Sequence, residues 1–181
     1  MNRLQVAALL THLIHRMRDH GSWCGETHVQ KSTYLAQQLA GVPLGFDFIL
    51  YKHGPFSFDL RDELTSLRAD GLLHLEPQRF PYGPKFKITD DAHRLQRKFP
   101  KTIKKHLDAL EFVAERLAEK QVDELERLAT ALFAKSYFGD MDDHERAAWI
   151  NQKKPHVSVD DALGALAEVD ELERELNSEH A

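Results

Sequence analysis

The chain has 181 residues, 42% of them hydrophobic and 29% charged, with a formal net charge of −5. That balance suits a globular fold with a buried core and excludes a disordered chain. No apolar run reaches the roughly 18 residues that a bilayer span needs, so no membrane association is expected.

Cys24 is the only cysteine, which excludes an intramolecular disulfide and points to a reducing, cytoplasmic setting. The apolar stretch 6–14 contains Thr11 and His12 and runs into His15-Arg16-Met17-Arg18. With no cleavage pattern after it, the stretch reads as an amphipathic helix rather than a signal peptide. Charge is uneven along the chain. Residues 1–105 hold 16 Lys+Arg against 10 Asp+Glu, whereas residues 106–181 hold 8 against 19. This fits two surfaces with different partners, two halves that attract each other, or two solvated faces that differ.

The first helix is expected from Arg3 to Asp19, with Val6, Leu10, Leu13 and Met17 on one face. A second runs from Glu26 to about Ala40 and stops at Gly41-Val42-Pro43. The aromatic and β-branched stretch 46–51 predicts a short strand, and Gly54-Pro55 predicts the turn after it. Ser57 is a good N-cap for a third helix that carries Leu60, Leu64 and Leu67 and ends at Gly71. Residues 72–76 and 85–88 predict two strands joined by a long hairpin loop, after which Thr89 caps a fourth helix. Pro100 is expected to break or kink that helix.

Two apolar stripes follow, Ile103, Leu107, Leu110, Ala114 and Leu117, then Val122, Leu125, Leu128, Ala129 and Leu132. A short helix around Trp149 ends at Lys153-Lys154-Pro155. Ser158-Val159-Asp160-Asp161 is a capping-box pattern for a last helix, expected to fray from Asn177. The fold class is therefore mainly α with minor β. A winged-helix-like region with a small β wing over 1–99 is expected to continue without a linker into a helical layer over 100–181.

Two motifs point further. One is Val29-Gln30-Lys31-Ser32-Thr33-Tyr34-Leu35-Ala36-Gln37. The other is Tyr51-Lys52-His53-Gly54-Pro55-Phe56-Ser57, followed by Leu64, Leu67, Asp70-Gly71-Leu72 and Phe86-Lys87-Ile88-Thr89. Together they resemble the SocA-like antitoxin family (the Panacea domain) and its YwgA-type relatives. The resemblance covers about residues 26–91, with departures at Ser32, Thr33 and His53. It implies a phage-associated or bacterial cytosolic protein that captures another protein, such as a toxin, as an antitoxin or adaptor. On that reading the turn region, with Tyr51, His53, Phe56 and Phe58, is the candidate partner-binding site.

The alternatives are a winged-helix DNA-binding regulator and a phage-associated or defence-associated scaffold. A winged helix reads DNA with its third helix. Here that helix holds Asp59, Asp62, Glu63 and Asp70 against Arg61 and Arg68, which repels phosphates. The positive charge lies elsewhere, at Arg79, Lys85, Lys87, Arg94, Arg97, Lys98, Lys101, Lys104 and Lys105, opposed only by Asp90 and Asp91. Phe80, Tyr82 and Phe86 interleave with it. This patch fits nucleic acid, an acidic protein, the acidic half of the same chain, or plain solvent.

His12, His15, His20, Cys24 and His28 are metal-ligand residue types, but their spacing matches no common zinc pattern, so no metal site is assigned. No nucleophile elbow, phosphate loop or metalloprotease helix is present, so neither a catalytic site nor a cofactor is expected. Oligomeric state is left open.

Overall fold

A computed structural model describes residues 1–179 of the chain. It is mainly helical, 65% helix and 8% strand, with eight helices and two small antiparallel sheets among the described residues. Among those residues, no helix is long and apolar enough to cross a membrane. The contacts divide the chain into two units, one of residues 1–48 and 57–120 and the other of 49–56 and 121–181. The expected division between residues 99 and 100 therefore falls inside the first unit. The reason is the helix that starts at Pro100, which packs along the N-terminal helix.

In the first unit, α1 (Arg3–Asp19) is the central helix, buried on Leu9, Leu10, Leu13, Ile14 and Met17. It packs on α2 (Glu26–Gln38), α4 (Asp90–Lys98) and α5 (Pro100–Leu117). The break between α4 and α5 is complete, because Pro100 cannot donate to the α4 ladder but suits the first position of α5. On α5 the buried stripe is Leu110, Val113, Ala114 and Leu117, while Leu107, expected in it, is exposed.

The third helix, α3 (Phe58–Ala69), starts where expected. Ser57 Oγ accepts from Leu60 N (3.2 Å), and Gln30 holds both backbone groups of Ser57, at 3.0 and 2.9 Å. The wing follows as β3 (Leu73–Glu76) and β4 (Lys85–Ile88), paired antiparallel from Leu73↔Ile88 to Glu76↔Lys85. Arg18 ties it to α1, donating to Phe86 O (3.0 Å) and pairing with Glu76 (3.0 Å).

The expected strand over 46–51 is shorter. Gln37 takes both the N–H and the C=O of Phe46 with its side-chain amide, at 2.9 and 2.8 Å, so that residue has no strand partner.

In the second unit, β1 (Ile49–Tyr51) pairs antiparallel with β2 (Gly54–Phe56). Gly54-Pro55, expected as a turn, is thus part of a strand, and the reversal falls on Lys52-His53. Pro55 stands opposite Leu50 on an edge strand, a position where a missing N–H is tolerated.

The hairpin's β2 lies on α6 (Val122–Tyr137), which packs with α7 (Asp143–Lys153) and α8 (Val159–Glu179). Leu125, Leu128, Ala129, Leu132, Ile150, Leu166 and Val169 form the buried core of this unit, while Val122, expected in the α6 stripe, is exposed. At α8 the expected capping box is half made. Ser158 Oγ accepts from Asp161 N (3.0 Å) and donates to the Asp161 carboxylate (2.7 Å), so that carboxylate serves the hydroxyl. The expected fraying from Asn177 does not break the helix before Glu179; His180 and Ala181 lie outside the described residues.

Candidate functional site

The hairpin of the second unit is fastened by a buried ion pair. Lys154 follows the last residue of α7 and is held out of the helix by Pro155. Its ammonium donates to Glu126 Oε1 (2.8 Å), to Tyr51 O (3.2 Å) and to Lys52 O. All three ammonium protons are thereby used. The Lys154 and Glu126 side chains are only 5% and 9% exposed. Burial pushes the Glu126 carboxyl up, but the hydrogen bond and charge of Lys154, helped by His156 and His53, outweigh it and hold the group below its ordinary value. Glu126 is thus a carboxylate, with His53 Nδ1 and His156 Nε2 at 3.6 and 3.5 Å.

Gly54 completes the fastening. Its φ is +83°, and a Cβ there would sit 2.9 Å from Thr130 Oγ1 on α6 and 3.4 Å from Glu126 O.

Of the four expected partner-binding residues, three share this hairpin. Tyr51 is 53% exposed and stands 5.8 Å from the half-buried Phe56, while His53 is exposed at the reversal. Ile49, also exposed, was not singled out from sequence. Phe58 belongs to the other unit, where it opens α3, 40% exposed, with the Arg61 guanidinium 5.1 Å from its ring centroid.

Sequence reasoning read Lys154 only as part of a helix stop and passed over Glu126. The available signal was Glu126 and Thr130, one turn apart on the border of the α6 stripe.

The basic region lies in the first unit. Lys87 pairs with Glu76 (3.4 Å) and Arg94 with Asp91 (2.6 Å). Lys85 sits over the Trp23 ring, 3.7 Å from its centroid, and Tyr82 lies against the same ring at 5.2 Å. Arg79, Arg97, Lys98, Lys101, Lys104 and Lys105 are exposed and have no ion-pair partner among the described residues.

The histidines of α1 line a cleft of about 510 Å³ together with Arg16, His93 and Glu111. The His15 and His93 rings meet edge to face at 5.0 Å. Arg16 clamps Glu111 through two bonds of 2.7 Å, and His20 approaches the same carboxylate at 2.8 Å. The Arg16 hydrogen bond leads in holding the Glu111 carboxyl at about 2.

His20, Glu111 and Glu115 bring their ligand atoms within 4.8 Å of one another. A guanidinium already occupies both oxygens of Glu111, so that carboxylate is not open to a cation. Cys24 joins no such group among the described residues. Its buried thiol, pushed up to about 12 by burial, is protonated at neutral pH and unsuited to nucleophilic attack or to metal binding.

A pH dependence follows. Burial lowers the pKa of His28 and of His12, the latter helped by His15 and Arg16. Below about pH 6.5 the unfolded chain takes up these protons before the folded chain does, so stability is full above that pH and falls as pH drops. A second loss follows between 4.5 and about 2, where the unfolded chain protonates Glu111 and the folded chain does not. Urea midpoints measured against pH should show both limbs, and His28→Asn should flatten the first.

No protein-family model matches the chain, and no curated protein matches it.

Proposed function

We propose that the chain is a non-catalytic binding module of the antitoxin or adaptor kind, which captures a partner protein such as a toxin through its β1–β2 hairpin. The observation that carries this reading is the hairpin itself. Its reversal is bolted at Lys154 while the Ile49 and Tyr51 side chains stay exposed. Pre-ordering a contact element cuts the ordering cost of association, and exposed aromatic anchors are typical of binding hot spots. The resemblance to SocA-like antitoxins supports the same direction, through the 51–57 motif.

The second unit holds 7 Lys+Arg against 15 Asp+Glu. A basic partner surface complements it and would be steered to it. Duplex reading by α3 is disfavoured, since its exposed Arg61 and Arg68 are offset by the exposed Asp59 and Asp62, which leaves no net positive charge for phosphates.

The test is affinity capture from cells of the natural source with the tagged chain. A stoichiometric partner protein is expected. Tyr51→Asp should lose it, with about 2 kcal/mol or more of binding removed if Tyr51 is an anchor, while the helical signal is unchanged. Phe58→Asp, run in parallel, decides whether the start of α3 contributes. Equal recovery by parent and Tyr51→Asp would reject the hairpin as the capture element.

A further inference from the structure

The wing of the first unit ends in a loop that buries almost none of its apolar surface. Tyr82 N donates to Arg79 O (3.0 Å), closing a turn with Phe80 at its corner. Phe80 is 97% exposed and Tyr82 64% exposed. Trp23 lies against Tyr82 and also has the Lys85 ammonium over its ring. The ring of Phe80 therefore contributes nothing to the core, while the residues under the loop hold its base in place.

Further along the same unit the cations form a second feature. Lys101, Lys104 and Lys105 follow i, i+3, i+4 spacing and share one face of α5. With Arg97, Lys98 and Arg79 they are exposed and unmatched by any carboxylate among the described residues.

We propose that the wing loop and the α4–α5 cations bind single-stranded nucleic acid. Phe80 and Tyr82 stack on unpaired bases, and the lysines and arginines hold the phosphates. Exposed rings and unpaired cations on one unit are the combination that sequence-tolerant single-strand binding uses, because every base presents a π face; Arg79 adjoins the rings, whereas the α5 lysines lie toward the other end of α1, where Gln5 bonds Thr102. In a duplex the base faces are stacked inside, and α3, the helix that would enter a groove, presents no net positive charge. A flexible strand also tracks between a ring pair and a separate row of cations without needing both on one flat face. This activity does not rest on partner capture by the hairpin, so either reading stands if the other fails.

The test is fluorescence anisotropy on the full chain, with a labelled oligothymidylate of about 20 nucleotides and a duplex of equal length, across a salt series. The single strand should bind at least about tenfold tighter than the duplex. Its affinity should fall steeply with salt, and reversing Lys101, Lys104 and Lys105 to Glu should reduce that log–log slope by about 2. Phe80→Ala and Tyr82→Ala should each weaken single-strand binding about 5- to 100-fold, and Phe80→Ala should do so with no change in Tm, since that ring is 97% exposed.

Three results would overturn the proposal. One is no binding at the lowest salt. Another is duplex binding as tight as single-strand binding, indifferent to the aromatic variants. The third is displacement of the oligonucleotide by polyglutamate with Phe80→Ala at parental affinity, which would make the surface a dock for an acidic protein.

Discussion

Replacing Lys154 by methionine should destabilise the second unit by about 3–5 kcal/mol, the cost of leaving one member of a buried ion pair without its partner. Methionine preserves the length of the side chain, so the loss reports on charge and hydrogen bonding more than on volume. Glu126 would stay buried, with only the exposed imidazoles of His53 and His156 beside it. The carbonyls of Tyr51 and Lys52 would also lose their donor. In a chain of this size that loss lowers Tm by roughly 6–20 °C. The double variant Lys154→Met with Glu126→Gln should recover part of it, because it removes the stranded carboxylate. A single variant within about 0.5 kcal/mol of the parent would show that the pair does not fasten the hairpin.

Gly54→Ala should cost about 2 kcal/mol or more. A non-glycine residue in the left-handed region is strained by roughly 1–2 kcal/mol. Here the added methyl also meets the Thr130 hydroxyl at 2.9 Å and Glu126 O at 3.4 Å. The first contact can be relieved, the second is at van der Waals distance, and the strain at positive φ remains. The double variant Gly54→Ala with Thr130→Ala should therefore regain only part of the loss in a thermal melt. Full recovery would mean that strain at φ +83° carries none of the cost. Both substitutions act on the seating of the hairpin, so both should also weaken capture of the partner.

Much of the fold was legible in the sequence because the signals were local. Arg3–Asp19 is an amphipathic helix by spacing, and Ser57 and Thr89 announce α3 and α4 by capping chemistry. Residues 85–88 alternate as a strand should. What was not legible depends on contacts between distant residues. Nothing near Gln30 or Gln37 shows that their amides would take the place of a neighbouring strand for Ser57 and Phe46. Gly54-Pro55 carries the composition of a turn, and only its seating on α6 makes it a strand.

The placement of Pro100–Leu117 in the first unit follows from packing on α1, which a break in local pattern at Pro100 concealed. The candidate site shows the same limit. Tyr51, His53 and Phe56 are neighbours in sequence and so were grouped. Lys154, 102 residues beyond Lys52, became visible only when the chain was folded.

The most direct test of the central claim, that the hairpin is the capture element, is site-specific photo-cross-linking in cells of the natural source. A benzophenone side chain placed at position 51 should give one discrete adduct with a partner protein. The same group on α8 at Glu171, an exposed position of the same unit, should give none. No adduct from position 51, or the same adducts from both positions, would contradict capture by the hairpin.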